Sequence, residues 1–183
     1  MTEAGENAGA GGIRPMLAQS FSKHGDKIEF PCSAQPKLDG IRCIAVVGKD
    51  GVTLWSREQK PITAVPHIAA QIANLGLPES TVLDGELYNH KLRNDFEKIV
   101  SVVRKQGIAD PNVATLVQYH IYDIPRIAGY GGNGKYSWDD RWQHLATKVL
   151  DSPLDEGQSL VRVETVFIKD KDALLEYFES CRA

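Results

Sequence analysis

Apolar and polar positions alternate most cleanly over residues 115–124, where Val117, Tyr119 and Ile121 interleave with Gln118, His120 and Tyr122. Period two of this kind predicts a half-buried strand. Residues 41–47 and 52–57 predict two more strands, joined by the turn Gly48-Lys49-Asp50-Gly51. Residues 81–88 predict another, with Asp84 and Glu86 on one face and Leu83 and Leu87 on the other. Residues 32–36 read as a short extended segment and 160–168 as a last strand.

Helical spacing predicts four helices. Residues 61–75 form one entered through Pro66, with Val65, Ile68, Ala69, Ile72 and Leu75 on one side. Residues 96–105 form a second, whose apolar face is Phe96, Ile99, Val100 and Val103. Ser137 caps a third, running to residue 150, with Trp138, Trp142, Leu145 and Val149 as its buried stripe. The fourth spans 172–181, with Leu174, Leu175 and Phe178 facing inward. Residues 1–12 are small and polar and are expected to be a disordered tail. Residues 129–134 are glycine-rich but lack P-loop spacing, and read as a flexible connection.

At 183 residues the chain is long enough to bury a core, and the expectation is one domain over residues 13–183. A net charge of −3 argues against a strongly basic nucleic-acid module, although a local basic cleft remains compatible with it. Cys32, Cys43 and Cys181 lack metal-ligand spacing and suit a reducing compartment. The five histidines form no i, i+4 pair, and none is assigned to a metal. No apolar run approaches a membrane span and no signal segment opens the chain, so a cytoplasmic location is expected.

The densest chemistry lies in Gln35-Pro36-Lys37-Leu38-Asp39-Gly40-Ile41-Arg42, a K-x-D-G-x-R pattern between two extended segments. A lysine amine attacks only when neutral, and with an ordinary pKa near 10.4 about one lysine in a thousand is neutral near pH 7. Nucleophilic lysines therefore sit beside a second cation or a metal, or in a desolvated pocket. Arg42, five residues on, is placed to return to the same pocket, and Gly40 supplies the backbone freedom of the turn. By itself the pattern also fits an exposed lysine in a polar hairpin. Asp84 and Glu86 on one strand face are costly unless a cation, a metal or a hydroxyl meets them.

In order along the chain stand K-x-D-G-x-R, Ser56-Arg57, Leu83-Asp84-Gly85-Glu86-Leu87 and Ile121-Tyr122-Asp123-Ile124. This series resembles the covalent nucleotidyltransferase superfamily and, within it, the adenylation domain of ATP-dependent DNA ligases, of the phage or minimal bacterial kind. The resemblance implies an α+β fold, antiparallel sheets flanked by helices, in a nucleotidyltransferase (ATP-grasp-like) domain with the nucleotide in a cleft. It implies that Lys37 attacks the α-phosphate of ATP, giving lysine–AMP, and that AMP passes to the 5′-phosphate of nicked double-stranded DNA before sealing. Arg42 and Arg57 would contact ribose and phosphate, Glu86 the ribose and a magnesium ion, and Tyr122 would stack on adenine. Gln35 stands where many ligases have a glutamate that meets the adenine amino group, and a glutamine carbonyl accepts the same bond.

The expected cofactors are ATP and Mg²⁺, and the expected state is a monomer in DNA replication, repair or recombination. The family continues into an E-G strand, a K-x-K strand and an OB-fold domain. This chain stops at Arg182-Ala183, so a partial adenylation domain is expected. With a short stretch ahead of Lys37, the nicotinamide-recognising domain of NAD-dependent ligases is not expected. Two alternatives stand beside this reading: a catalytically incomplete nucleotide- or DNA-binding remnant, and an RNA ligase or capping-type nucleotidyltransferase.

Overall fold

A computed structural model describes residues 13–105, 107, 109–127, 136–149 and 158–182. The expected tail and the glycine-rich connection lie outside these residues. The strands are β1 (Cys32–Ala34), β2 (Ile41–Gly48), β3 (Gly51–Ser56), β4 (Val82–Tyr88), β5 (Gln118–Arg126), β6 (Leu160–Arg162) and β7 (Val166–Ile168). The α-helices are α1 (Phe21–His24), α2 (Pro66–Ala73), α3 (Phe96–Val103), α4 (Pro111–Ala114), α5 (Trp138–Ala146) and α6 (Lys171–Ser180). They divide between two compact units. The first is Leu38–Arg162 with the described residues up to Pro15, and the second is Met16–Lys37 with Val163–Ala183.

The first unit is a five-stranded sheet of order β3-β2-β4-β5-β6. The predicted turn is present, with Gly48 facing Gly51 at the end of the β2–β3 hairpin. One sheet face buries Cys43, Ala45, Leu54, Leu83, Leu87, Tyr119 and Ile121 against Val65, Ile68 and Ile72 around α2, and Ile99, Val102 and Val103 of α3. Burial of this apolar area drives the unit's folding. The other face carries a small patch, Ile44 and Val82 with Val46 and Trp55 against them, and beside it a run of polar side chains.

Several elements differ from their sequence patterns. Helix α2 starts at Pro66, because residues before it run extended along β3: Ile62 N–H donates to the Leu54 carbonyl at 2.8 Å. In α3 it is Val102, not Phe96, that joins Ile99 and Val103 in the core, while Phe96 is exposed. Thr115 caps α4, so β5 begins only at Gln118. Helix α5 opens with the capping box expected of Ser137, closed by Asp140, and buries Leu145, while Trp138 and Trp142 are only half-buried. Strand β6 runs parallel to β5, an exception to the antiparallel sheet.

The predicted strand over 160–168 is two strands: β6 ends at Arg162 in the first unit, and β7 pairs with β1 in the second. In that second unit Cys32 faces Ile168 and Ala34 faces Val166. β1 is therefore not the hairpin partner of β2, although Lys37 is exposed, as the polar-hairpin reading of K-x-D-G expected. Helix α6, expected to face Leu174, Leu175 and Phe178 inward, buries none of its residues; Leu175 and Phe178 are exposed. No helix among the described residues is long and apolar enough to cross a membrane.

Candidate active site

Strand register assembles the polar face of the first unit. Arg42 on β2 stands directly opposite Glu86 on β4, and Glu86 stands opposite His120 on β5. Arg42 turns its guanidinium to Asp84, two residues back on β4, and donates through Nε to Oδ1 and Nη2 to Oδ2, both at 2.6 Å. Burial works against this cation, but the Asp84 hydrogen bonds and charge, followed by Glu86, outweigh it and hold its pKa above the ordinary arginine value. The two strand carboxylates are thus not solvated surface acids: Asp84 has its cation, and Glu86 is buried at 8% exposure.

Tyr122 reaches this group through a fault in the sheet. The β4–β5 pairs run Glu86↔His120 and Gly85↔Ile121, then jump to Asp84↔Asp123. Tyr122 is the extra residue at that register shift. A bulge of this kind re-aims a side chain, and here the Arg42 Cζ stands 5.1 Å from the Tyr122 ring centroid, within cation–π range. The Tyr122 hydroxyl accepts the Leu38 N–H at 3.1 Å. Burial pushes that hydroxyl up to about 12; the Glu86 and Asp84 charges add to the shift, while the Leu38 N–H and Arg42 oppose it.

Two glycines permit these approaches. A Cβ on Gly40 would overlap the Leu87 carbonyl and come within 2.8 Å of Glu86 Cγ, so only glycine lets the loop after Lys37 lie against β4. A Cβ on Gly85 would meet the His120 carbonyl and the Tyr119 ring. That ring crosses over Gly85 so that its hydroxyl, fully buried, donates to the Cys43 carbonyl of β2 at 3.0 Å.

Arg141 was not singled out as a site residue by its sequence, yet it grips the residue after Tyr122. From α5 it donates Nε and Nη2 to the Asp123 carboxylate at 2.9–3.2 Å and Nη1 to the Tyr136 carbonyl at 2.9 Å. The Ile124 N–H also donates to Asp123, at 2.7 Å. The polar face continues past Glu86 into Tyr88, whose hydroxyl lies 3.2 Å from His90 Nδ1 and whose ring packs edge-on against His120. Burial, with His90 nearby, pushes His120 down to about 4.

Because His120 titrates near 6.5 when unfolded, the unfolded chain binds more protons between that pH and about 4, and folding stability falls as pH falls through the window. In urea titrations near pH 7 and about pH 5, His120→Gln is expected to lose less stability between the two than the parent chain. An equal loss in both would contradict a half-buried His120 held neutral by its surroundings.

The remaining candidates are placed differently. Arg57 is exposed in the turn after β3, and among the described residues no hydrogen bond or ion pair joins it to Arg42, Asp84, Glu86 or Tyr122. Gln35 and Lys37 follow the end of β1 at Ala34. Both belong to the second unit, where Gln35 Nε2 donates to Thr165 Oγ1 at 3.0 Å and Lys37 is exposed. No three His, Cys, Asp or Glu groups among the described residues cluster to hold a metal by themselves.

Residues 15–180 match the family model described as the ATP dependent DNA ligase domain. The chain belongs to this family. It is 32% identical over 118 residues to DNA ligase C of Mycobacterium tuberculosis, covering 60% of this chain and 31% of that protein. It is 22% identical over 176 residues to a probable DNA ligase of Dictyoglomus turgidum, covering 92% of this chain and 29% of the relative. The chain thus spans about a third of the length of these curated relatives.

Among solved structures, a Chlorella virus DNA ligase–adenylate superposes with a TM-score of 0.63 at 24% identity, over 92% of this chain and 55% of that one. The ATP-dependent DNA ligase of bacteriophage T7 in complex with ATP gives 0.64 at 18% identity, over 93% and 58%. At these identities the likeness is one of fold, and it agrees with the α+β architecture expected of a ligase nucleotidyltransferase domain.

Proposed function

We propose that this chain is the nucleotide-charging part of an ATP-dependent DNA ligase, acting as a monomer on nicked double-stranded DNA. The lone pair of the Lys37 amine attacks the α-phosphorus of ATP, after the amine gives up a proton to solvent. A nitrogen–phosphorus bond forms, the α–β bridging bond breaks, and pyrophosphate leaves with the electron pair. AMP then passes from Lys37 to the 5′-phosphate of the nick, and the adjacent 3′-hydroxyl displaces it.

The observation that carries this reading is the Arg42–Asp84–Glu86–Tyr122 group on one sheet face, in a chain of this family, with K-x-D-G leading into it. Tyr122 offers a ring for adenine, and stacking on an aromatic side chain contributes about 1–3 kcal/mol in nucleic-acid complexes. Glu86 meets the ribose side, and Arg42 lends positive charge to the nucleotide from within its pair with Asp84. Arg57, exposed and without a partner among the described residues, reaches for phosphate. Gln35 is the adenine contact.

Magnesium enters here as a companion of ATP. Mg²⁺ is commonly held by one or two carboxylates together with substrate phosphates, and Glu86 stands on the same strand face as Asp84, opposite Arg42. One buried carboxylate fits a metal that arrives on phosphate, where it supplies charge neutralisation.

Nucleotide and acceptor specificity test the proposal. Incubation with ATP and Mg²⁺ is expected to give a covalent protein adduct, and GTP or NAD⁺ none. Addition of a 5′-phosphorylated nicked DNA duplex is expected to discharge the adduct to AMP-capped DNA. Charging by GTP would favour a capping-type enzyme, charging by NAD⁺ would refute ATP use, and discharge only onto RNA would favour an RNA ligase.

A further inference from the structure

Stacking on a base needs the ring of Tyr122 and makes no use of its hydroxyl, yet that hydroxyl is committed. It accepts the N–H of Leu38 at 3.1 Å, and this amide belongs to the peptide unit that joins Lys37 to Leu38. The ring itself is held from several directions. Arg42 stands over it and is locked in turn by two 2.6 Å bonds to Asp84. The next residue, Asp123, is fixed by Arg141 and by the Ile124 amide. Gly40 closes the same loop against β4, where any side chain would collide with Leu87 and Glu86. The tyrosine is therefore a rigid post, and the backbone immediately after Lys37 is tied to it.

We propose that the Tyr122 hydroxyl is a positioning group for the nucleophile: it fixes the Lys37–Leu38 peptide, and with it the root of the lysine side chain, independently of the ring's contact with adenine. The inference rests on the proposed adenylation reaction. A phenylalanine at this position would stack equally well and leave the peptide untied. Geometry governs such steps steeply, because a displacement of about 1 Å at a reacting group can cost on the order of a hundredfold in rate. The hydroxyl thus bears on the rate of charging and the ring on nucleotide affinity, two roles on one side chain.

Tyr122→Phe separates the two roles, with Tyr122→Ala as the variant that loses both. Amide hydrogen exchange, followed residue by residue, reads the bond itself without any need for activity. In Tyr122→Phe the Leu38 amide is expected to exchange about tenfold faster, as loss of a single hydrogen bond allows, while the strand amides of β2 and β4 keep their rates. At saturating ATP the rate of adduct formation is expected to fall about tenfold in Tyr122→Phe, with ATP affinity within about threefold of the parent. Tyr122→Ala is expected to lose affinity as well, by about tenfold or more, as loss of a stacking ring implies.

Unchanged Leu38 exchange in Tyr122→Phe overturns the proposal, and so does an unchanged charging rate at saturating ATP. A loss that appears in affinity alone also overturns it, since a purely structural or stacking role would read that way. Failure of the parent chain to form any adduct is a different result: it refutes the adenylation reading, and the positioning role falls with it.

Discussion

Lys37→Ala and Lys37→Arg are each expected to reduce the AMP adduct to background. Alanine removes the nucleophile. Arginine keeps the positive charge and much of the length, but a guanidinium with a pKa above about 12 does not deprotonate near neutral pH and so offers no lone pair. The pair of variants separates chemistry from charge, because a lysine acting only as a phosphate-binding cation would be partly replaced by arginine. Lys37 is exposed, so both variants should keep their folding stability within about 0.5 kcal/mol, the usual range for surface changes. Intact-protein mass spectrometry after incubation with ATP and Mg²⁺ reads the result. An adduct that persists in Lys37→Arg would place the nucleophile elsewhere.

Gly85→Ala is expected to be the most destabilising small substitution in the first unit. Its new methyl would collide with the His120 carbonyl and come within 2.7 and 2.9 Å of two Tyr119 ring atoms. Neither neighbour can yield cheaply. The carbonyl belongs to the β4–β5 pairing, and the ring is fully buried and tethered to the Cys43 carbonyl. Overpacking of a core costs about 1–3 kcal/mol, and a displaced Tyr119 would leave a buried hydroxyl unpaired at about 1–3 kcal/mol more. A loss of about 3 kcal/mol or more is therefore expected, a large share of the roughly 5–15 kcal/mol typical of a domain. Urea unfolding measures it, and a loss below about 1 kcal/mol would contradict the close crossing of Tyr119 over Gly85.

The parts of this architecture that were legible in the sequence are those set by local pattern. Period-two alternation located β5 and the two faces of β4, apolar runs located β2 and β3 to within a few residues, and the two glycines around Lys49-Asp50 located the turn between them. The K-x-D-G-x-R, D-G-E and Tyr-Asp motifs could be read in order, and the cost of burying Asp84 called for a cation, a metal or a hydroxyl, of which the structure shows the cation Arg42. What alternation does not carry is the partner of each strand. Residues 160–168 contain no glycine or proline to mark a break, so the hand-over from β6 to β7 is invisible along the chain. The register shift at Tyr122 is equally silent, because it is a mismatch between two strands and not a feature of either.

The Asp123–Arg141 pair joins residues 18 apart in sequence, and only the packing of α5 beside β5 brings them together. Helix α6 misled for a related reason. Its apolar stripe has the right period, but a stripe says only which side of a helix is apolar, and in the second unit Leu175 and Phe178 are exposed.

The most direct test of the central claim is the fate of the α-phosphate. The chain is incubated with Mg²⁺ and ATP labelled at that phosphate, then digested and mapped by mass spectrometry. Label bound to the peptide that contains Lys37, and released as ATP on addition of pyrophosphate, is the expected result. Label on any other residue, or none on the protein while ATP is bound, would contradict the assignment of Lys37 as the nucleophile.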